Sequence, residues 1–115
     1  MGQEFEAHKY YHGTTIDKLN SIKRKGILPI YKAKTGLTGA WATKILKGSI
    51  KHARERGLER GGIEPLVLGF CLPFWWVKEN NDRKAVDSCG YDENVFCFKT
   101  KIPKAYLTKV FYPNK

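Results

Sequence analysis

An uninterrupted apolar segment at residues 65–72, Pro-Leu-Val-Leu-Gly-Phe-Cys-Leu, restricts the possible folds of this chain more than any other stretch. Successive side chains of an extended strand point to opposite faces of a sheet, so this strand would be apolar on both faces. A strand of that kind lies inside a sheet with both faces covered. The segment therefore predicts a central strand, and the rest of the chain must supply the layers that cover it.

Two strand–helix pairs are predicted ahead of this segment. Residues 9–12 and 40–43 indicate short strands, and each is followed by residues with helical periodicity. The first helix is expected to begin at a cap on Thr14 or Thr15 and to end at Gly26, the usual residue just past a helix. The second helix is expected to span residues 44–56. Its predicted buried stripe comprises Leu46, Ile50, Ala53 and Gly57, its basic stripe Lys44, Lys47, Lys51 and Arg54, and a third face Ser49 and His52.

The later half of the chain predicts mostly strands. Residues 74–77 are expected to continue the central strand past a proline or to form an apolar flap, and residues 78–90 to form a loop, as do residues 32–39. Residues 94–99 predict a further buried strand, and residues 106–112 a last one with alternating polarity. The whole chain, residues 1–115, is thus expected to form one α+β domain, with two helices early and a largely antiparallel arrangement of strands late.

Charge narrows the class of partner. The chain has 21 Lys and Arg residues against 11 Asp and Glu residues, which gives a formal net charge of +10. Such an excess favours phosphate-rich partners, because Lys and Arg displace the counterions that condense on a polyanion. A nucleic acid and a dinucleotide both satisfy this condition, and so does a lysine-rich surface that only keeps the protein in solution.

The cysteine and histidine residues indicate no metal site. Cys71 and Cys97 lie in apolar strand segments, Cys89 follows a polar stretch, and no pair has the short spacing of zinc ligands. We expect reduced cysteines and a cytoplasmic protein. The first residues contain no apolar core of a signal peptide, and no apolar run approaches the ~20 residues that a membrane-spanning helix needs.

Three motifs occur in one order along the chain. Residues 11–14 read Tyr-His-Gly-Thr at a predicted strand end, and residues 40–43 read Ala-Trp-Ala-Thr before a helix that carries Ser49 and His52. Residues 91–94 read Tyr-Asp-Glu-Asn before an apolar strand. In this order the motifs resemble the NAD-binding and catalytic segments of ADP-ribosyltransferases, and most closely the catalytic domain of poly(ADP-ribose) polymerases. The resemblance covers most of the chain and implies two small, mostly antiparallel sheets packed together.

The resemblance implies NAD as co-substrate and assigns roles in binding it. His12 would hydrogen-bond the adenosine ribose, and Gly13 would offer backbone groups to the nicotinamide amide. Trp41 would cover the nicotinamide, His52 would stack on its other side, and Ser49 would bond the carboxamide. The predicted NAD-binding residues are His12, Gly13, Thr14, Trp41, Ser49 and His52.

The same resemblance makes Glu93 the catalytic residue. Cleavage of the nicotinamide–ribose bond develops positive charge on the sugar, which a carboxylate near the ribose 2′-hydroxyl stabilises. Asp92, Glu64 and Glu79 are rival carboxylates, and Glu93 is preferred because an apolar strand follows it directly.

Two departures from the polymerase pattern shape the predicted activity. Trp41 stands where the pattern has Tyr, and His52 where it has a second aromatic residue, which disfavours polymerase-like geometry. The loop between Gly26 and Trp41 is short, and the sequence shows no long acceptor-side insertion for an incoming polymer. We therefore expect transfer of single ADP-ribose units to a protein or nucleic-acid acceptor.

Three alternatives remain open. The first is an RNA 2′-phosphotransferase, which the strand-end motif and residues 60–62, Arg-Gly-Gly, also resemble and which does not need Glu93. The second is an inactive domain that binds NAD, ADP-ribose or nucleic acid. The third is a basic nucleic-acid-binding domain whose motifs arose by chance.

Overall fold

The computed structural model describes residues 7–32 and 36–114, and it has the predicted α+β composition. Six strands alternate with four α-helices and two short 3-10 helices, Ile16–Lys18 and Lys104–Tyr106. The strands are β1 (Ala7–Thr15), β2 (Ile30–Lys32), β3 (Leu37–Thr43), β4 (Pro65–Pro73), β5 (Val95–Phe98) and β6 (Leu107–Phe111). The α-helices are α1 (Leu19–Lys25), α2 (Leu46–Glu59), α3 (Phe74–Asn80) and α4 (Arg83–Ser88).

β4 is the central strand that the apolar segment predicts. It pairs antiparallel with β1 over the full length of both strands, from Ala7 opposite Pro73 to Thr15 opposite Pro65, and with β6 on its other side. Leu66, Val67 and Leu68 are completely buried, as the apolar character of both faces requires. This prediction is confirmed.

The prediction of two sheets is wrong, because β1 and β3 are joined into one six-stranded sheet. Its strand order is β2-β3-β1-β4-β6, and β5 pairs with β3 off this path. The register of β1 and β3 consists of a single pair, Tyr11 opposite Thr43. The apolar pattern of the sequence predicted both strands. It does not indicate which residues pair across strands, so the single pair that joins β1 to β3 could not be predicted.

α1 follows the first strand and ends where the sequence predicts. Gly26 is the first residue beyond the helix, with φ of 79°, a conformation that favours glycine, and its N–H donates to the carbonyl of Ile22. The start differs, since the 3-10 turn precedes the helix and Thr15 makes no capping hydrogen bond. Its hydroxyl instead donates to Asp17.

α2 is displaced toward the C-terminus relative to the prediction, Leu46–Glu59 instead of residues 44–56. Its fully buried residues are Ser49, Ala53 and Gly57. The placement of Ser49 on a separate face is therefore wrong, because this small residue lies in the contact of the helix with β1.

α3 and α4 correct the prediction of a strand or flap over residues 74–77 and of a loop over residues 78–90. Pro73 has the extended conformation of a helix N-cap, and α3 turns Trp76 and Val77 into the core. The ring centroids of Trp76 and Phe98 are 4.8 Å apart. Asp82 caps α4 by accepting a hydrogen bond from the amide of Ala85.

Only part of the predicted loop over residues 32–39 can be compared with the structure. Residues 33–35 lie outside the described residues, as do residues 1–6, on which the prediction of no signal peptide partly rests. Lys32 belongs to β2 and residues 37–39 to β3, so the strands extend further than predicted.

Candidate functional site

A cleft of about 490 Å³ opens beside the point where β1 and β3 separate. Beyond the pair of Tyr11 and Thr43 the two strands no longer form ladder hydrogen bonds, and residues 11–14 and 39–43 become walls of the cleft. α1 and α2 supply other parts of its lining. A divergence of two strands thus creates the space, and the helices that follow them enclose it.

The cleft brings together every residue that the resemblance assigns to NAD binding. They come from the strand end of β1, from β3 and from one side of α2. The six are His12, Gly13, Thr14, Trp41, Ser49 and His52. Glu93, the predicted catalytic residue, is not among the lining residues.

The imidazole of His12 spans the gap between the two strands. Its Nδ1 lies 2.7 Å from the carbonyl oxygen of Trp41. Because a carbonyl only accepts hydrogen bonds, Nδ1 carries the hydrogen and Nε2 keeps its lone pair. Burial, with smaller contributions from the nearby His52, Lys32 and Arg56, lowers the pKa of His12 to about 4, against the effect of this hydrogen bond. His12 is therefore a neutral hydrogen-bond acceptor at physiological pH.

Gly13 is required by the packing of α2 on β1. A Cβ at this position would overlap the backbone carbonyl oxygen of Ser49 and would lie 3.0 Å from the amide nitrogen of Ala53. The hydroxyl of Ser49 donates to the carbonyl of Leu46, 2.7 Å away, within α2. The small residues at both positions thus let the helix approach the strand closely enough to form the cleft wall.

Trp41 contributes one wall of the cleft and also anchors a second apolar cluster. Its ring makes an edge contact with Tyr91, with ring centroids 5.6 Å apart, and the ammonium of Lys32 lies 5.6 Å from its centroid. The cluster beneath it contains Val86 and Cys97. The indole Nε1 is buried without a hydrogen-bond partner. The ring is thus held in place by packing rather than by its polar atom.

Four cationic side chains line the same cleft, and sequence analysis did not assign them to it as a group: Lys18, Lys32, Arg56 and Arg60. Loss of hydration lowers the pKa of Lys32, and the charge of Arg56 lowers it further. Loss of hydration also lowers the pKa of His52, and both cations add to that effect. Among the described lining residues there is no Asp or Glu. Glu59, outside the lining, lies 3.8 Å from Nη1 of Arg56, and the four cations leave the lining itself positive, which suits an anion.

One of these cations could have been found from the sequence. Arg56 follows His52 by four residues, so both share one side of α2. Arg60 donates from Nη1 to the hydroxyl of Thr15 at 2.6 Å. Lys18 lies in the 3-10 helix before α1 and Lys32 at the end of β2, and no local pattern marks them.

Glu93 is exposed in the turn before β5. Tyr91 and Val95, two residues away on either side, both line the cleft. The carboxylate of Asp92 accepts the amide of Asn94 at 2.8 Å and so stabilises the turn. Glu64 and Glu79, the other rival carboxylates, do not line the cleft. Of the two carboxylates in this turn, Asp92 is thus hydrogen-bonded to the backbone of the turn, and Glu93 is the exposed one that remains for a ligand.

The described residues contain free thiols but neither a metal-binding cluster nor a membrane-spanning helix. In residues 7–32 and 36–114, no three His, Cys, Asp or Glu side chains gather where they would hold a metal ion. None of the helices in these ranges is both long and apolar enough to cross a membrane. Cys71, Cys89 and Cys97 are free thiols.

Comparison of the chain with known protein families and with curated proteins found no match.

Proposed function

We propose that this chain is a mono-ADP-ribosyltransferase that binds NAD in the cleft and transfers ADP-ribose to a macromolecular acceptor. The observation that carries the proposal is the convergence of all six predicted NAD-binding residues on one cleft. These residues belong to separate motifs of the sequence, and motifs that arose by chance would not be expected to meet in one cleft. The cleft volume, about 490 Å³, lies within the range of about 300–1,000 Å³ that is usual for small-molecule sites.

The charge of the cleft supports a ligand with phosphates. NAD carries two phosphates, and Lys32, Arg56 and Arg60 can donate charge-assisted hydrogen bonds to them. Neutral His12 complements this charge, because its Nε2 can accept a hydrogen bond from a ribose hydroxyl. A protonated imidazole could only donate, so the low pKa of His12 suits the role that the resemblance assigns to it.

Glu93 is the proposed catalytic residue. As the bond between nicotinamide and ribose C1′ breaks, its electron pair leaves with nicotinamide and positive charge develops on the ribose. A carboxylate that accepts a hydrogen bond from the 2′-hydroxyl stabilises this charge. The acceptor then forms the new bond to C1′ and releases a proton. The position of Glu93 between Tyr91 and Val95 in the chain supports this assignment, since both neighbours line the cleft.

The test is incubation of the protein with NAD labelled in the adenosine half and with pools of protein, DNA and RNA. One pool should take up label while nicotinamide is released. In Glu93→Gln, transfer should fall by about 100-fold or more while NAD binding persists. Glu79→Gln, which removes an exposed carboxylate of α3, is the matched control and should keep full activity. Full activity of Glu93→Gln would contradict the proposed role.

An RNA 2′-phosphotransferase is the second candidate, favoured by one observation. Arg60 lines the cleft, whereas no described carboxylate does, and this reaction does not need Glu93. It predicts that NAD is consumed only when 2′-phosphorylated RNA is present. It also predicts that Glu93→Gln is as active as the unmodified protein, which separates the two candidates in one experiment.

A further inference from the structure

A second surface with its own chemistry lies beside the cleft, across β1, β4 and β6, and shares Tyr11 with the lining of the cleft. Tyr11 pairs with Gly69, and Gly69 pairs with Lys109, so these three residues form one row across the sheet. Directly paired residues point to the same face. Lys9, two residues before Tyr11, and Phe111, two residues after Lys109, belong to that face as well. We call Lys9, Tyr11, Lys109 and Phe111 the basic–aromatic face.

The two rings of this face lie beside a shallow depression of about 270 Å³. The centroids of Tyr11 and Phe111 are 5.9 Å apart, with the rings at 66° to each other. Gly69 makes room for them, because a Cβ there would lie only 3.2 Å from Cε2 of Phe111. Neither ring is fully buried. The described residues that line the depression include two lysines and no acidic residue.

α2 covers the neighbouring part of the sheet and leaves this face open. Its residues Ser49 and Ala53 pack on Gly13, which lies two residues after Tyr11 on β1. Its exposed Lys47, Lys51 and Arg54 share one side of the helix. Nη2 of Arg54 donates to the carbonyl of Pro113 at 3.0 Å, just past the end of β6. The basic side of α2 is therefore turned toward the β6 edge, next to the basic–aromatic face.

We propose that the basic–aromatic face, together with the basic side of α2, binds single-stranded nucleic acid. Single strands expose the faces of their bases, which stack on aromatic side chains, while nearby lysines contact the phosphates. A duplex hides the base faces and would gain only the charge contacts. The net charge of +10 favours the same class of partner.

A lysine ammonium group of this face already occupies one of the aromatic rings on which a base would stack. The ammonium of Lys109 lies 4.9 Å from the centroid of the Phe111 ring. An exposed cation–π contact is weaker than the stacking of a base on an aromatic ring. An arriving base therefore displaces the ammonium, which becomes available to a phosphate of the same strand.

The test uses the full chain and fluorescence anisotropy, without NAD, so that its result does not depend on the proposed transferase activity. The probes are labelled RNA and DNA strands of about 12 nucleotides, within the site sizes that single-strand-binding domains cover, and the corresponding duplexes. We expect both strands to bind at least about tenfold more tightly than their duplexes and to weaken steeply between about 50 and 200 mM salt. Equal binding of strand and duplex would overturn the proposal.

Paired variants separate stacking from charge. Phe111→Leu should weaken strand binding by about tenfold, because one stacking surface is lost, and should leave duplex binding unchanged. Lys47→Gln/Lys51→Gln should weaken binding and reduce its salt dependence, whereas Lys23→Gln/Lys25→Gln on α1, with the same change in charge, should affect binding less. A thermal melt of each variant excludes misfolding, and Lys109→Gln provides a second substitution on the face itself.

Three further outcomes would reject the proposal. If the two lysine pairs weaken binding equally and Phe111→Leu has no effect, the attraction is unspecific charge. If His12→Asn, a change in the cleft, abolishes strand binding, the strand lies in the cleft instead. An acidic peptide that binds as tightly as the strands would indicate a protein partner and would likewise overturn the assignment.

Discussion

The α-carbon of Gly13 faces the backbone carbonyl of Ser49 so closely that a Cβ at residue 13 would overlap that oxygen. The glycine of the strand-end motif therefore has a structural role that the resemblance does not supply, which is to admit α2 onto β1. One residue thus serves the packing of the domain and the wall of the cleft together.

Gly13→Ala should lower the free energy of unfolding by about 1–3 kcal/mol, because the added methyl group must move backbone rather than a flexible side chain. Gly48→Ala on the same helix is the control, since a Cβ there meets only the side chain of Ile45 at 4.0 Å. That change should raise stability by up to about 1 kcal/mol, from the higher helix propensity of alanine. Urea denaturation measures both, and equal effects would contradict the proposed contact.

His12 should make the stability of the protein depend on pH. Its pKa of about 4 in the fold lies below the ordinary value of about 6.5. Between these values the unfolded chain binds a proton that the folded chain excludes, so stability rises with pH across this window and is constant above it with respect to this residue. The expected gain is about 2–3 kcal/mol from pH 4 to pH 7.

Unfolding of His12→Asn should show a flatter pH dependence over the same window, the remainder reflecting His52 and the carboxylates. NMR of the imidazole nitrogens checks the cause directly, because the bond to Trp41 requires the Nδ1–H tautomer. A ring at residue 12 that titrates near pH 6.5 would contradict this account.

Arg56→Gln should weaken the binding of ADP-ribose by about tenfold, as expected for the loss of one charge-assisted hydrogen bond. It should also raise the pKa values of His12 and His52, both of which the charge of Arg56 lowers. Arg24→Gln, an exposed residue in the last turn of α1, changes the net charge equally without touching the cleft. Calorimetry and NMR titration measure the two effects, and an equal loss of affinity in the control would point to long-range charge alone.

The three thiols should differ in reactivity. Burial, with smaller contributions from Asp82 and Cys89, raises the pKa of Cys97 to about 11. Cys71 and Cys89 are only partly buried. A chromogenic disulfide reagent at pH 8 should therefore modify two thiols in the folded protein and the third only after unfolding, because the thiolate is the reactive form. Rapid modification of all three would contradict the burial of Cys97.

The strands that could be predicted are those whose burial appears directly in the sequence. Residues 65–72 and 95–98 are apolar and mostly buried, and the structure has β4 and β5 there. α3 could not be recognised in the same way. Phe74 and Trp75 are more than half exposed while Trp76 and Val77 are buried, so four consecutive large apolar residues carry no helical period. Only Pro73 marked the start of this helix.

The site was predictable as far as its motifs extend. His12, Trp41 and His52 meet in one cleft because the elements that carry them follow one another along the chain. The charge of the cleft was not predictable, since Lys18 comes from the 3-10 helix before α1 and Lys32 from the end of β2. Contacts between such separate elements depend on the path of the chain, which no local pattern encodes.

The pair of Tyr11 and Thr43 is where the ladder between β1 and β3 stops, and the ring of His12 stands just beyond it, bonded to a carbonyl of the opposite strand. The ring of His12 thus replaces a rung of the ladder, because a side chain bonds the opposite strand where the backbone no longer does. A ligand that bonds Nε2 would therefore contact, through one ring, the connection between the two halves of the sheet.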